Sequence, residues 1–295
     1  MKKIFLSILA IAAVISLASC TKHKMHFDVE ELPDNIAEFE LHYMEPLSDV
    51  AANYFDSLFV NGELYSSSKV KGEGVLAVYN TVPWGGAGGR YFYANVGSNH
   101  FQLYRNGELE YDVNVTLAKG KQHIIIYDVT KDPIVIDSGF PYWKDRQLTG
   151  ANWNTDQVFQ VQFMNLLFSR PGTPYTGTLQ YQFKRAGNIL DPITGEVIGP
   201  EPAEWYNVGE PVAFGETTGL QLIEIHKQTF NSSGNQRLDY RILTETGEEL
   251  MKWNGSRYVK YTDYWNAYIG RVYIHFFRGC LDTTPVCNVT QWPLM

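Results

Sequence analysis

Residues 39–43 read FELHY, in which Phe39, Leu41 and Tyr43 alternate with Glu40 and His42. Successive side chains of an extended strand point to opposite faces, so a period of two places the three apolar residues on one buried face. The same rhythm recurs in GVLAVY (74–79), HFQLY (100–104), LEYDVNV (109–115), QHIIIYDV (122–129), VFQVQF (158–163), LQYQF (179–183), LQLIEIH (220–226), LDYRIL (238–243) and RVYIHFF (271–277). These runs have strand lengths and are crowded with β-branched and aromatic residues, which suit a pleated surface. Between HFQLY and LEYDVNV lies Asn106-Gly107, a pair that accepts the positive φ angles of a type I′ turn and so predicts a hairpin. Asn61-Gly62 and Thr246-Gly247 predict two more. No segment repeats apolar residues at i, i+3, i+4 and i+7 over several turns; DVAANYFDSLF (49–59) comes nearest and is expected to be a short helix or a loop leading into a strand. Short strands without intervening helices predict an all-β fold of antiparallel β-sandwich domains in tandem and not a parallel sheet.

The tandem reading rests on an internal echo. Phe39, Leu41, Tyr43 and Met44 open the first half, and Phe159, Val161, Phe163 and Met164 open the second with the same alternation and the same closing methionine. A strand centred on Leu58 to Val60 follows in one half, and one on Leu179 to Tyr181 in the other. The polar, turn-rich PYWKDRQLTGANWNTDQ (141–157) is the expected linker, which places the domains at 37–140 and 158–295.

At the amino terminus Lys2 and Lys3 precede an uncharged, mostly apolar run, Ile4 to Leu17, and small residues follow. That is the layout of a secretory signal. Crossing the hydrocarbon core takes ~20 apolar residues, so the run is short for a permanent span. LASC (17–20) resembles the bacterial lipobox. The resemblance implies removal of residues 1–19, a diacylglyceryl thioether on Cys20, acylation of the new terminus by fatty acids such as palmitate, and a tether over 20–36. Each buried acyl methylene contributes ~0.8 kcal/mol, so several chains anchor stably where one does so marginally. The expected location is the outer membrane of the cell envelope, on its periplasmic face or at the cell surface.

Loss of Lys2 and Lys3 leaves 22 of the 24 basic residues against 32 acidic ones, a formal charge of −10 in place of −8. An acidic chain without a Lys/Arg-rich run disfavours both nucleic acid and anionic headgroups, and no nucleic acid is expected as a partner. Beyond Cys20 the only cysteines are Cys280 and Cys287, in CLDTTPVC. An oxidising compartment and a short intervening loop favour a disulfide between them. No further His or Cys stands at metal-ligand spacing beside them.

Three pieces, AEFELHYMEPLSD with LFVNGELY, FQLYRNGELEYDVNVTLAKGKQHIIIYDV, and the restart VFQVQFMNLL, cover about half of the mature chain. Through them the chain resembles a family of tandem immunoglobulin-like β-sandwich lipoproteins of Gram-negative bacteria, a domain family without assigned function that is associated with cell adhesion. In place of the family's usual Asn before the first turn, the first half carries Met44-Glu45-Pro46, while Met164-Asn165 keeps an Asn. The resemblance implies display and binding at the envelope. It transfers no active site.

A search for chemistry leads the same way. The sequence holds no nucleophile elbow, H-E-x-x-H helix, P-loop or EF-hand loop. Gly85, Gly86, Gly88 and Gly89 lack both the spacing and the following helix of a phosphate cradle, so a loop between strands is expected. The seven histidines are scattered; His42, His123, His226 and His275 fall within strand patterns and are assigned structural or exposed roles, with no metal centre and no cofactor. Acid pairs such as Glu248/Glu249 read as solvated surface. Aromatic residues make up 14% of the chain and supply the binding candidates, since a flat ring covers the apolar face of a sugar while its polar edge reaches hydroxyls. KYTDYWNAY offers Tyr261, Tyr264, Trp265 and Tyr268, and the glycine loop is flanked by Trp84, Tyr91 and Tyr93. Trp143, Trp153 and Trp205 lie in loop-like sequence. The expected function is non-enzymatic: a lipid-anchored envelope protein for adhesion or for capture of a glycan or of an envelope or host protein. Competing readings are an accessory protein or glycoside hydrolase of polysaccharide utilisation, and a structural subunit of a surface assembly.

Overall fold

The computed structural model describes residues 32–69, 75–83, 90–137, 158–191, 194–225, 235–268 and 271–294. The expected signal peptide, Cys20, most of the tether, the linker, Trp84, Trp143 and Trp153 lie outside these residues. Among the described residues the chain is all β apart from one 3-10 turn, Ala51–Asn53, which leads into a strand as DVAANYFDSLF suggests. No described helix is long and apolar enough to cross a membrane.

The first half contains β1 (Ile36–Tyr43), β2 (Ser57–Val60), β3 (Glu63–Ser67), β4 (Asn80–Val82) and β5 (Phe92–Asn95). It continues through β6 (Gly97–Arg105), β7 (Glu108–Leu117), β8 (Gly120–Ile126) and β9 (Ile134–Asp137). The second half contains β10 (Val158–Arg170), β11 (Thr173–Pro174), β12 (Leu179–Arg185), β13 (Asn188–Leu190), β14 (Val197–Pro200) and β15 (Tyr206–Asn207). After these come β16 (Gln221–Glu224), β17 (Asn235–Thr244), β18 (Met251–Trp253) and β19 (Tyr258–Lys260). The last three are β20 (Thr262–Tyr268), β21 (Val272–Cys280) and β22 (Asn288–Pro293).

Two Asn-Gly turns set the local register. Asn61 and Gly62 have φ of 54° and 82° between β2 and β3, and Asn106 and Gly107 have 53° and 82° between β6 and β7. Two consecutive positive angles make the type I′ turn whose twist suits the flanking strands. Thr246-Gly247 also turns, with Gly247 at φ 78°. The returning chain, however, forms no strand against β17: it makes an isolated bridge between Leu243 and Glu249 with hydrogen bonds from Thr244 N–H to the Glu248 carbonyl and from Leu250 N–H to the Ile242 carbonyl, and β18 pairs with β19 instead. GVLAVY is not a strand: Leu76 makes an isolated bridge to Phe55, and the chain reverses at Tyr79, φ 62°, before β4 begins.

Four larger sheets form. Sheet I runs β3-β2-β6-β7; sheet II runs β4-β1-β8-β9, with β5 also pairing β1. Sheet III runs β11-β10-β21-β22, with β16 also pairing β10, and sheet IV runs β15-β12-β17-β20. The echo between the halves reappears as topology: β1 and β10 occupy the same place in sheets II and III, and β2 and β12 lie inside sheets I and IV. The pairing departs from a purely antiparallel scheme. β1 runs parallel to β8 from Ala37–Gly120 to Tyr43–Ile126, and β10 runs parallel to β21 from Gln160–Val272 to Phe168–Cys280. Parallel neighbours need a long crossover, which the chain provides by threading the adjacent sheet between the paired strands.

Three apolar layers separate the sheets. Phe39, Leu41 and Tyr43 of β1 meet Leu58, Val60, Phe101 and Leu103 of sheet I. Phe159, Val161 and Phe163 of β10 meet Tyr181, Leu238 and Tyr240 of sheet IV. A third layer joins the halves: Met44 and Ile125 pack with Met164, Leu166, Val272, Ile274 and Phe276. Asp34–Met295 is therefore one compact unit. Burying apolar area contributes roughly 25 cal/mol per Å², and here it is gained on both faces of each inner sheet. FELHY accordingly buries both of its faces, with Glu40 and His42 as inaccessible as Phe39 and Leu41.

Candidate functional site

The aromatic residues of KYTDYWNAY do not form one platform, because strand alternation sends them to opposite faces of β20. Ala267 of the same strand is buried in the layer between sheets III and IV. Tyr261, just before the strand, is fully buried there, and its hydroxyl bonds to Asp263, to Asn288 and to the Val289 N–H. Desolvation and the Asp263 charge push that phenol far above its ordinary value. Trp265 packs against the same layer with its ring 5.6 Å from that of His275. Tyr261 is thus a core residue, and Trp265 is partly buried against the same core. Tyr264 faces outward and is 54% exposed, while Tyr268 is half-buried beneath the Arg271 guanidinium at 4.6 Å. Tyr91 is half-buried elsewhere, on the side of sheet II, with the Lys121 ammonium 5.0 Å from its ring.

The structure groups Tyr264 with partners that the sequence did not single out together. Leu238, Tyr240 and Ile242 of β17 point into the core, so Arg237, Asp239 and Arg241 point outward. The cross-strand register sets Asp239 beside Tyr264 and Lys184, and Arg241 beside Gln182. The Arg237 guanidinium lies 4.1 Å over the Tyr264 ring and donates from Nε to Asp239 at 2.9 Å. The Trp205 ring has the Arg241 guanidinium 4.4 Å from its centroid and the Lys184 ammonium at 5.0 Å. Arg241 also donates to Gln182 Oε1 at 2.8 Å and to Glu249 at 3.0 Å, and Glu249 bonds to Lys260 at 2.6 Å. Those donors, the Lys260 hydrogen bond above all, hold the Glu249 carboxyl below its ordinary range. Among the described residues, the outer face of sheet IV thus sets Lys184, Arg237 and Arg241 beside Asp239, with Glu249 bridging Arg241 to Lys260 of β19 and Glu204 next to Trp205, a cluster rich in cations on an acidic chain. Flat rings held by guanidinium groups make it a rigid, cationic and aromatic surface.

A second polar cluster is entirely internal. Glu40 and His42 lie on the face of β1 opposite Phe39 and Leu41, and the parallel ladder sets Glu40 opposite His123 of β8. His42 Nε2 and His123 Nδ1 are 2.8 Å apart, and Glu40 Oε2 lies 3.6 Å and 3.4 Å from them. The rings of Phe276 and Trp292, from sheet III, close over His42 at 4.9 Å and 5.9 Å. Burial keeps His42 neutral, with its pKa well below the ordinary value and further lowered by His123. Burial raises the Glu40 carboxyl, against the opposing pull of His123. Of the described residues, these three form the one group of His, Cys, Asp or Glu side chains arranged to hold a metal ion. Sequence spacing concealed it, because Glu40 and His42 are separated from His123 by some eighty residues.

Cys280 and Cys287 are both buried free thiols, so the expected disulfide is absent from the structure. Cys287 belongs to the layer between sheets III and IV, whereas Cys280 lies outside that cluster. The backbone joins them instead, the Cys287 N–H donating to the Cys280 carbonyl at 2.8 Å. Burial pushes the two thiols up to about 11 and about 12.

No protein-family model and no curated protein matches the chain. Among solved structures it is similar to a candidate cell adhesion protein from Bacteroides ovatus, at 10% identity over 88% of this chain and 97% of that one, with a TM-score of 0.24. It is also similar to the minor pilin of Streptococcus agalactiae, at 9% identity over 84% and 98% of the two chains, with a TM-score of 0.22. A leucine-rich repeat protein from Bacteroides thetaiotaomicron aligns at 8% identity and a TM-score of 0.22 over 85% of this chain, which spans 27% of that protein's length. Superpositions this loose define no common site.

Proposed function

We propose that the protein is a non-enzymatic, lipid-anchored component of the bacterial cell envelope that acts in adhesion by binding a glycan bearing acidic groups. The observation that carries the reading is the outer face of sheet IV, where Trp205 and Tyr264 are held among Lys184, Arg237 and Arg241. Rings of this kind stack on the apolar faces of sugars, and planar guanidinium groups pair with carboxylates in two-pronged fashion. The lipobox-like LASC supports the anchor. A glycan array probed with the wild-type chain and with a Trp205→Ala/Tyr264→Ala variant tests the binding surface. The expected result is a wild-type signal on uronate- or sialate-containing glycans that falls at least tenfold in the variant, with an unchanged melting temperature. A silent array with the wild-type chain, or a variant that binds equally, overturns the assignment. Metabolic palmitate labelling tests the anchor separately: the label is expected on the wild type and absent from Cys20→Ala.

A further inference from the structure

The internal cluster of Glu40, His42 and His123 is not used by the proposed binding face. We propose that these three side chains form a binding site for a divalent transition-metal ion of the zinc class. One imidazole nitrogen from each histidine and one carboxylate oxygen converge, with pairwise separations of 2.8, 3.4 and 3.6 Å. Zinc bound to His nitrogen or carboxylate oxygen sits about 2.0–2.1 Å from each, which puts the ligands of a tetrahedron roughly 3.3–3.4 Å from one another. The Glu40–His123 edge, 3.4 Å, already has this length, the Glu40–His42 edge, 3.6 Å, needs to close by about 0.2 Å, and the imidazole–imidazole edge needs to open by about 0.5 Å.

The surroundings support the same assignment. Both Glu40 oxygens are buried without a hydrogen bond, whereas the unpaired His42 Nδ1 and His123 Nε2 are the ring nitrogens turned away from the convergence, each of which would carry the N–H of a ligating imidazole. An unsatisfied buried polar group is costly, and the two Glu40 oxygens lie at a layer that contains Met44, Ile125 and Phe276. A cation at the point of convergence neutralises the carboxylate and uses both imidazole lone pairs. The β1–β8 ladder fixes the spacing of Glu40 and His123, and Phe276 and Trp292 restrain the His42 ring. Two histidines and one carboxylate leave a fourth position for water or for the second Glu40 oxygen. Because the cluster is enclosed between sheets II and III, the ion enters as the chain folds, and its binding energy adds to the stability of the fold.

The test is to unfold the full chain, refold it with one equivalent of zinc, remove loose metal by gel filtration, and measure metal content, X-ray absorption and melting temperature. The expected result is one ion per chain, a shell of nitrogen and oxygen at about 2.0–2.1 Å, and a higher melting temperature than the chelated protein. A folded chain that retains no zinc overturns the proposal, as does a sulfur shell at about 2.3 Å, which would move the ion to Cys280 and Cys287. Glu40→Gln and His123→Gln are expected to lose stoichiometric zinc. Retention of the ion with an unchanged absorption spectrum in either variant also overturns it. Should both variants fail to fold, the wild-type absorption spectrum decides alone.

Discussion

Leu166 and Leu167 are adjacent on β10 and both are fully buried, yet they face different layers. Leu166 belongs to the layer between sheets II and III, and Leu167 to the layer between sheets III and IV. Leucine to alanine removes three carbons; at ~0.8 kcal/mol per methylene, with a further contribution from the cavity left behind, the cost is about 3 kcal/mol within the usual range of about 2–5. If the layer joining the halves is a true core, Leu166→Ala and Leu167→Ala must destabilise the chain by comparable amounts. Urea unfolding followed by tryptophan fluorescence measures both. With an m-value of about 3 kcal/mol per M, each midpoint falls by about 1 M, and the transition stays single because the two halves are joined by a packed layer. A loss of less than about 0.5 kcal/mol for Leu166→Ala, beside a full loss for Leu167→Ala, would mean that the outer faces of sheets II and III are effectively surface.

His275 is buried beside Tyr181, whose hydroxyl is 3.0 Å from Nδ1, and desolvation lowers its pKa from 6.5 to about 3. The unfolded chain takes up a proton at this site that the fold refuses, so its effect on stability is absent above pH 6.5, grows as pH falls to about 3, and then levels off at a loss of order 5 kcal/mol. Unfolding free energies measured from pH 7 to 4 should show a slope that His275→Gln reduces by one proton; an unchanged slope refutes the assignment. Gly107→Ala forces a side chain onto a residue at φ 82° and is expected to cost about 1–2 kcal/mol, read as a lower melting temperature. Cys280 and Cys287, buried and protonated at neutral pH, should resist iodoacetamide in the folded chain and take two labels in urea without reductant; no labelling in urea would show a bridged pair.

The elements that were legible in the sequence are those fixed by neighbouring residues. The alternation of FELHY and the two Asn-Gly turns depend on local backbone geometry, and the strands and hairpins follow directly. The paired methionines were legible as well, since Met44 and Met164 both enter the layer between the halves. What alternation does not report is the environment of the second face. Glu40 and His42 look like a solvated edge in one strand, and only the packing of sheet III against sheet II turns that edge into an interior. The same limit applies to the aromatic cluster, where proximity in sequence placed Tyr261, Tyr264 and Trp265 together while the pleat separated them. Trp205 stood apart in loop-like sequence, and nothing short of the fold brings it to Arg241 and Lys184.

The position of β1 also governs how the molecule would bear mechanical load. It begins at Ile36, and over Ala37–Tyr43 it is paired on one edge with seven residues of β8 and on the other with β4 and β5. Tension that reaches Ile36 along the strand axis must shear these ladders together and cannot peel them one bond at a time. Resistance to such tension is therefore set by the combined length of the ladders on both edges of β1 and not by the strength of any one hydrogen bond.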